Sequence, residues 1–246
     1  MIGMVLAAGA GRRLQPYTDT LPKTLVPVDG DRTILDVSLG NFAKVGLTDV
    51  VLVTGYKAHA LEDRKAALEA DHGVNLELAF NDKAEEWNNA YSLWCAREYF
   101  SRGVVLVNGD TIAPVSVFET LCDSAGGGYD LVLALDDVQE LGEEQMKVQL
   151  SGEGLLTHIT KLMDPRTAVG EYIGLTMIEP HAAEPLGAAL KATYERDPQL
   201  YYEDGFEAYA TESGGRIAVA PIGEVEWVEV DDHADLAQAR EVACRC

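Results

Sequence analysis

The hydrophobic positions in the first half of the chain form short continuous apolar runs separated by longer stretches with helical spacing. The apolar runs, rich in Val and Leu, lie at residues 2–8, 49–55, 75–80, 103–110 and 130–137. Helical spacing occurs between them, at residues 33–46, 57–71, 89–101 and 115–125. Strands without polar alternation are buried on both faces, and strands that alternate with helices form parallel sheets. The pattern therefore predicts an α/β fold with a doubly wound, mostly parallel sheet of the Rossmann-like type.

The pattern changes after residue 140. Three strand-like runs with polar interruptions, QMKVQLS, LLTHITKL and EYIGLTMIEP, precede helical stretches near 180–196 and 202–213. A strand at 216–222 and a segment that ends in a helix close the chain. No repeat or linker separates the two patterns. We therefore expect one domain over residues 1–246, with a small β/α excursion on the substrate side.

The first apolar run ends in a turn, AAGAGRR, whose glycines and arginines suggest phosphate binding. A dinucleotide-binding fingerprint needs a third glycine where this chain has Leu14, and a P-loop needs a glycine where Pro22 precedes Lys23. Both familiar motifs are therefore excluded. Successive N–H groups in a glycine turn still form an anion-binding concavity that Arg and Lys side chains can close. The alternative is an ordinary strand–helix turn with solvated arginines.

The charge balance sharpens this interpretation. The chain has 41 acidic and 19 basic residues, a net charge of −22, which disfavours nucleic acids and anionic membranes as partners. A phosphate ligand would then need a local basic site or a metal ion. Residues 11–24 form a positive island, with Arg12, Arg13 and Lys23 against Asp19 alone. The island favours phosphate binding at the turn.

The cysteines and the N-terminus bear on the compartment. Cysteines 95, 122, 244 and 246 include no CxxC pair and no histidine at zinc spacing, so free thiols in a reducing cytoplasm are expected. The N-terminal apolar run has no basic segment before it, which favours a buried strand over a signal peptide. No stretch approaches the ~20 apolar residues of a membrane helix. We expect a cytoplasmic protein.

Two aspartates follow buried strands and are candidate metal ligands. Asp110 ends VLVNGD, and Asp231 follows EWVEV. A carboxylate at the end of a buried strand is costly without a partner, and Mg²⁺ takes one or two carboxylates together with substrate phosphate oxygens. The alternatives are a turn aspartate and a helix N-cap, since either Asp231 or Asp232 can cap the last helix. The pair beside a phosphate turn predicts a Mg²⁺ site.

The string LAAGAGRRLQPYTDTLPKTLVPV resembles the opening motif of the sugar-phosphate nucleotidyltransferases, and the similarity continues through VVLVTGYKAHAL, LVNGDT and WVEVDDHADLAQAR. WNNAYSLW and ITKLMDPRTAVGEYIGLTMIEP are similar to the phosphocholine cytidylyltransferase branch, and the latter also to inositol-phosphate cytidylyltransferases. Enzymes of this superfamily that act on hexose 1-phosphates carry Glu-Lys-Pro where this chain has Thr160-Lys161-Leu162. The departure argues against a hexose substrate.

The resemblance implies roles for individual residues. Residues 1–140 would form a nucleotide-binding half and residues 141–246 a substrate-binding half. Arg13 and Lys23 would contact the triphosphate, Lys161 would contact the phosphate of the second substrate, and Asp110 and Asp231 would hold Mg²⁺. The implied nucleotide-binding residues are Leu6, Ala7, Ala8, Gly9, Gly11, Asn81, Asn89 and Ala90.

The implied reaction is cytidylyl transfer from CTP to a small phosphorylated or phosphonylated alcohol or amine, with release of pyrophosphate. The candidate substrate contacts are Glu171, Tyr202, Glu203 and Asp204, because aromatic faces and carboxylates hold ammonium groups. The alternative is that the apolar side of residues 202–209 only packs on the sheet.

Three other functions stay open at this point. The chain could transfer uridylyl or thymidylyl groups to a sugar 1-phosphate, or cytidylyl groups to an inositol phosphate. It could also be a nucleotide-binding regulatory module without turnover. The sequence makes no prediction of oligomeric state.

Overall fold

The apolar runs form a single sheet in a computed structural model, which describes residues 1–244. The strands of the sheet are β1 (Ile2–Leu6), β2 (Asp49–Thr54), β3 (Asn75–Phe80), β4 (Val104–Asn108), β5 (Leu131–Asp136), β6 (Lys147–Leu150), β7 (Leu156–Thr160), β8 (Gly170–Ile178) and β9 (Ile217–Pro221). Two short ladders lie outside it: Thr111–Ile112 with Val228–Glu229, and Pro27–Asp29 with Arg32–Thr33. Of the predicted free thiols, Cys246 lies outside the described residues.

The helices lie between the strands, as the spacing predicts. They are α1 (Ile34–Lys44), α2 (Ala58–His72), α3 (Asn89–Cys95), α4 (Val115–Asp123), α5 (Ala183–Arg196), α6 (Tyr202–Glu212) and α7 (His233–Ala243). Short 3-10 turns occur at Arg12–Leu14, Tyr17–Asp19, Lys23–Leu25, Arg97–Arg102, Pro165–Thr167 and Pro180–Ala182. The predicted helix at 89–101 is divided, because α3 ends at Cys95 and a 3-10 turn, a common form at helix ends, follows it.

The sheet order is β7-β6-β8-β4-β1-β2-β3, with β5 pairing β8 and β9. Parallel ladders join β1 to β2 and β4, β2 to β3, and β5 to β9. β8 runs antiparallel to β4, β5 and β6, and β7 runs antiparallel to β6. All strands except β7 and β8 therefore point the same way, which confirms the predicted mostly parallel α/β fold. None of the helices in the described part of the chain has the length and apolar content that a membrane span requires.

The core explains why the N-terminal strands lack polar alternation. Along β1, Ile2 and Met4 belong to the apolar cluster on one face of the sheet, and Val5 belongs to the cluster on the other face. A third cluster joins α1 and α7 and includes Leu14 and Val230. Since these two residues are neighbours of Arg13 and Asp231, the third cluster fixes two elements of the candidate site.

Candidate active site

Glycines allow three backbone segments to meet where β1 ends. A Cβ on Gly109 would lie 2.3 Å from the carbonyl oxygen of Leu6, so only glycine fits there. Gly11 has φ +57, and a Cβ on it would lie 2.8 Å from the Cβ of Lys23. The turn after β1 therefore packs directly on Lys23. Gly9 has open space where a side chain would be.

Lys23 is buried between the two aspartates that the sequence singles out. Its Nζ lies 2.8 Å from Asp110 Oδ2 and 2.6 Å from Asp231 Oδ1. Burial acts to lower the pKa of Lys23, but the two carboxylates outweigh it and hold this pKa above its ordinary value. Lys23 is therefore a permanent positive charge at the carboxyl ends of the parallel strands.

A short ladder brings Asp231 to Asp110, which lies 121 residues earlier in the chain. The ladder pairs Glu229 with Thr111, and the N–H of Val230 donates to the carbonyl oxygen of Asp110 at 2.9 Å. The N-cap of α7 is Asp232, not Asp231. Asp231 instead accepts from Lys23 and, at 2.7 Å, from Arg13. The capping alternative for Asp231 is therefore wrong.

The donor set at this point fits a divalent cation. One carboxylate oxygen from each of Asp110, Glu229 and Asp231 lies within 4.8 Å of the other two. Asp110 Oδ1 is buried and has no hydrogen-bond partner among the described residues. Desolvation, followed by the negative charges of Asp110 and Asp231, raises the pKa of Glu229 to about 8. A cation would give Asp110 Oδ1 a ligand bond and would reduce the repulsion among the three carboxylates.

A cavity of about 300 Å³ opens beside this cluster. We call the part of its lining formed by Leu6, Ala8, Gly9, Arg13, Asp110 and Asp231 the glycine-turn wall. The part formed by Trp87, Asn88, Asn89, Tyr201 and Glu203 is called the Glu203 wall. The Glu203 wall is continuous because Asn89 Oδ1 accepts from the Tyr202 N–H at 2.9 Å and Asn88 Nδ2 donates to the carbonyl of Gln199.

Glu203 is the unusual charged group of its wall. It is 5% exposed, and its Oε2 atom has no hydrogen-bond partner among the described residues. Burial raises the pKa of Glu203 to about 8. A buried carboxylate oxygen without a partner is costly, and Glu203 lines a cavity whose wall also contains aromatic side chains. The arrangement can accept a cationic group.

The other predicted substrate contacts have different surroundings. Tyr202 is fully buried behind the cavity, where its hydroxyl donates to Asn108 Oδ1 at 2.9 Å. Asp204, in the first turn of α6, accepts from the N–H of the N-cap residue Tyr201 at 2.7 Å and so completes a capping box. Phe206 and Tyr209 belong to the core, as the packing alternative for residues 202–209 predicts. Of the two acids in this helix turn, only Glu203 lines the cavity.

Glu171 and Lys161 lie at a second, more open cavity of about 390 Å³. Lys161 lines both cavities and makes no hydrogen bond or ion pair within residues 1–244. Burial and the charge of Asp136 raise the pKa of Glu171 to about 7, against the opposing charges of Lys161 and Lys147. The second cavity shares Arg13, Lys161, Glu229 and Asp231 with the first, so the two adjoin.

The predicted nucleotide contacts divide into residues in the cavity wall and residues behind it. Leu6, Ala8, Gly9 and Asn89 line the cavity. The others, Ala7, Gly11, Asn81 and Ala90, are not part of the lining. Asn81 is buried, and its Nδ2 donates at 2.8 Å to Ser92 Oγ, which does line the cavity.

Sequence reasoning missed several lining residues, notably Glu229, Asn108 and Trp87. A pattern could have found two of them. Glu229 lies two positions before Asp231, and Asn108 lies two positions before Asp110. In an extended segment such residues share a face. Trp87 lies in an irregular segment, for which no periodicity applies.

The chain belongs to the nucleotidyl transferase family, a family of enzymes that transfer nucleotidyl groups. The sequence profile described as "Nucleotidyl transferase" matches residues 2–126, just over half of the 246 residues. This match confirms the predicted family resemblance and the prediction of an enzyme.

Two curated relatives share substantial identity with the chain. It is 30% identical to the CMP-5'-(3-aminopropyl)phosphonate synthase of Streptomyces rubellomurinus, over 96% of this chain and 38% of that protein. It is 33% identical to the choline-phosphate cytidylyltransferase of Streptococcus pneumoniae, over 43% of each. The match therefore spans only about two fifths of each relative's length.

Solved structures confirm the fold. The inositol-1-phosphate CTP transferase of T. maritima has a TM-score of 0.82 at 23% identity, covering 99% of this chain and 94% of that one. The CTP:phosphocholine cytidylyltransferase of Streptococcus pneumoniae has a TM-score of 0.72 at 20% identity, covering 98% of both chains.

Proposed function

We propose that the chain transfers a cytidylyl group from CTP to a small phosphorylated or phosphonylated alcohol or amine, in a Mg²⁺-dependent reaction that releases pyrophosphate. The observation that carries the proposal is the unpartnered Oε2 of buried Glu203 in the wall of the cavity that also contains Asp110 and Asp231. An amine-bearing substrate would supply the missing cation. The names of both curated relatives, one an aminopropylphosphonate synthase and one a choline-phosphate enzyme, support this class of substrate.

The glycine-turn wall would hold the triphosphate. Its backbone N–H groups and the Arg13 guanidinium suit anionic oxygens, and Lys23 contributes a fixed positive charge behind them. We assign Asp110 and Asp231, with Glu229, to the metal because their oxygen atoms converge and one is unpartnered. A bound Mg²⁺ would act as a Lewis acid that screens the charge between the two phosphate groups.

The transfer needs no general base, because the nucleophile is already an anion. A phosphate or phosphonate oxygen of the second substrate attacks the α-phosphorus of CTP, and the bond from that phosphorus to the β-phosphate bridging oxygen breaks. The electron pair of that bond leaves with pyrophosphate. The residues of this chain therefore act by positioning and charge neutralisation, with Arg13 and Lys23 opposing the charge that builds on the leaving group.

The base and the second substrate would share the Glu203 wall. We propose that Asn88 and Asn89 contact the nucleotide near its base, while Asn81 and Ala90 support them from behind the wall. Lys161 would bind the phosphate of the second substrate, since its ammonium has no partner within residues 1–244. Glu203 would bind the amine between the rings of Tyr201 and Trp87 by charge and cation–π attraction.

We propose that the other predicted substrate contacts act through neighbouring residues and do not contact the substrate. Tyr202 and Asp204 would act through α6, whose first turn carries Glu203. Glu171 would hold Lys161 in place by charge rather than contact the amine. We propose that residues 1–140 supply the nucleotide side and residues 141–246 the substrate side, within one domain, because β8 pairs directly with β4.

We place the reaction in the cytoplasm. The thiols of Cys95, Cys122 and Cys244 are free, which fits a reducing compartment. The net charge of −22 argues against nucleic acids and anionic membranes as further partners.

The test is a panel of CTP, UTP, dTTP and GTP against phosphocholine, 2-aminoethylphosphonate, inositol 1-phosphate and glucose 1-phosphate, with pyrophosphate release as the readout. We expect turnover with CTP and the two amines. A preference for glucose 1-phosphate with UTP or dTTP would contradict the proposal in favour of a sugar enzyme. Absence of turnover with every pair would favour the regulatory module.

A matched pair of variants tests the assignment of the amine site. Glu203→Gln keeps the shape but removes the charge, so we expect the KM for phosphocholine to rise about 10- to 100-fold, the range for a lost hydrogen bond to a charged group. The KM for inositol 1-phosphate, which has no cation, should change little. Asp204→Asn alters the neighbouring cap and serves as the control.

A further inference from the structure

A chain of buried hydroxyl groups runs beside the cavity and ends on Asn108. Thr176 Oγ1 and the Tyr172 hydroxyl are 2.7 Å apart, and the hydroxyls of Tyr172 and Tyr202 are 3.0 Å apart. The Tyr202 hydroxyl then donates to Asn108 Oδ1 at 2.9 Å. Buried hydroxyls must satisfy one another, so this chain is fixed in place. Asn108 is its only member in a β-strand that ends at the glycine-turn wall.

In the structure the hydroxyl chain occupies one side of the Asn108 amide and leaves the other side to a ligand. Oδ1 is occupied by Tyr202, and Nδ2 makes no hydrogen bond within the described residues. Nδ2 lies beside Gly174, where an added Cβ would be 2.6 Å from it. Asn108 and Gly174 both line the cavity. The amide therefore offers the cavity a donor, and its acceptor oxygen is not available as a further metal ligand.

The backbone at Gly174 is built around this amide. Gly174 has φ +81, which other residues rarely adopt, and the ladder between β8 and β5 shifts register between Tyr172 and Thr176. Such irregularities re-aim side chains beside functional sites. Here the irregularity leaves room for the Asn108 amide and sets two neighbouring members of the hydroxyl chain, Tyr172 and Thr176, on either side of Gly174.

We propose that Asn108 Nδ2 donates a hydrogen bond to a non-bridging phosphoryl oxygen of a bound substrate, and that Tyr202 is a positioning residue that holds the amide in this orientation. The inference rests on the proposed function, which brings phosphoryl groups to this part of the cavity. The neighbouring Asp110, Glu229 and Asp231 are acceptors, so a neutral donor beside them suits an oxygen ligand rather than a cation. The oxygen belongs either to the nucleotide or to the second substrate.

Three variants test the donor and its positioning. Asn108→Ala removes the amide, and we expect kcat/KM to fall about 10- to 100-fold, the range for a lost hydrogen bond to a charged group. Asn108→Asp keeps the shape but replaces the donor with a negative charge, so the loss should be larger. Tyr202→Phe keeps the ring and removes only the hydroxyl, and we expect a fall of about 10-fold. A rise in the KM for CTP assigns the oxygen to the nucleotide, and a rise in the KM for the second substrate assigns it there.

Tyr209→Phe is the matched control for Tyr202→Phe. Tyr209 lies on the same helix and is similarly buried, but its hydroxyl donates to Asp130, away from the cavity. In double-mutant cycles with Asn108→Ala, Tyr202→Phe should be non-additive because both changes act on one hydrogen bond, whereas Tyr209→Phe should be additive. Additivity of Tyr202→Phe, or an equal loss of activity in Tyr209→Phe, would overturn the positioning role.

A direct binding measurement separates this inference from the proposed function. Calorimetric titration of CTP and of phosphocholine into wild type and Asn108→Ala needs no turnover. If wild type binds either compound and Asn108→Ala, folded by circular dichroism, binds it at least about 10-fold more weakly, the donor role stands even without catalysis. Unchanged affinity for both compounds together with unchanged kcat would overturn it. Failure of wild type to bind either compound would overturn the inference and the proposed function together.

Discussion

The glycine-turn wall, with Lys23 buried behind it, and the Glu203 wall both contain charged groups, but they differ in how the chain satisfies those groups. In the first wall, Lys23 and Arg13 occupy both oxygens of Asp231 and one oxygen of Asp110. In the second wall, Glu203 Oε2 has no partner among the described residues. The first wall is held mainly by its own ion pairs and leaves only Asp110 Oδ1 without a partner, whereas Glu203 in the second wall has no ion pair among the described residues.

This difference predicts different consequences of mutation. Removing one partner of a buried ion pair destabilises the folded protein, because the other charge is left without compensation. At a catalytic site the reaction rate falls as well. Removal of a buried charge that has no partner relieves a cost instead. Substitutions in the glycine-turn wall should therefore lower turnover. Substitution of Glu203 should lower the affinity for the substrate and raise the stability of the folded protein.

The largest effect is expected for the two aspartates. Asp110→Asn and Asp231→Asn each remove a charge that pairs with Lys23 and, in our proposal, binds the metal. We expect turnover to fall by about 10³-fold or more at saturating Mg²⁺, with the fold retained in a thermal melt. Asp232→Asn is the control, because Asn caps a helix as well as Asp does. Near-normal activity of Asp110→Asn or Asp231→Asn would contradict the assignment of these aspartates as metal ligands.

A smaller but still large effect is expected for Lys23. Lys23→Ala leaves Asp110 and Asp231 without their shared ammonium, so we expect kcat to fall about 10²- to 10³-fold. Arg13→Ala should cost less, because the Arg13 side chain is 67% exposed and its charge is screened by water. Pyrophosphate release at saturating substrates measures both. If kcat fell as much in Arg13→Ala as in Lys23→Ala, the expectation that the buried charge matters more than the exposed one would be wrong.

The contrast between the walls also separates what the sequence could predict from what it could not. The parallel strands, the glycine turn and the pair Asp110 and Asp231 follow from local patterns, because buried strands and strand-end carboxylates are visible in the chain itself. Their meeting follows from a general rule, since ligands bind at the carboxyl ends of parallel strands. For this reason the glycine-turn wall was largely predictable.

The Glu203 wall was less predictable because it depends on tertiary packing. The sequence places Glu203 and Asp204 side by side as equivalent acids. The docking of α6 decides that one of them faces the cavity and the other accepts from the Tyr201 N–H. The choice of Asp232 over Asp231 as the cap of α7 is a similar case. Local spacing cannot decide which of two adjacent carboxylates bonds to the helix backbone and which lines the cavity.

An intermediate effect is expected for Lys161, which adjoins both cavities. Lys161→Ala should raise the KM for the second substrate about 10- to 100-fold, because a charged hydrogen bond to its phosphate is lost. The KM for CTP should change much less. Steady-state kinetics with each substrate varied in turn separates the two, although KM equals Kd only when chemistry is slow. An unchanged KM and kcat for the second substrate would show that Lys161 is misassigned.

A smaller effect, on stability, is expected for Glu203. Burial raises the pKa of Glu203 to about 8 from 4.5, so the native state favours the protonated form. Its stabilising contribution is therefore complete below pH 4.5 and is lost as the pH rises through about 8. Glu203→Gln should be more stable than wild type at pH 9 by a few kcal/mol at most, at about 1.4 kcal/mol per pKa unit.

Chemical denaturation of both proteins from pH 5 to pH 9 measures this difference. Glu171 and Glu229, whose pKa values are also raised, are common to both proteins and cancel in the comparison. Excess phosphocholine should reduce the difference, because a bound cation stabilises the ionised Glu203. A stability difference that does not change with pH would mean that Glu203 already has a partner in the free protein.

The smallest effect is expected for Asp204→Asn, which decides whether the Glu203 wall depends on one carboxylate or on a diffuse acidic patch. Asp204 accepts from the Tyr201 N–H at 2.7 Å, and the amide oxygen of Asn can accept the same bond. We expect a stability change within about 0.5 kcal/mol and an unchanged KM for amine substrates. Long-range charge alone would make Asp204→Asn weaken amine binding nearly as much as Glu203→Gln. If the KM for phosphocholine rises only in Glu203→Gln, direct contact with a single buried carboxylate accounts for the selectivity.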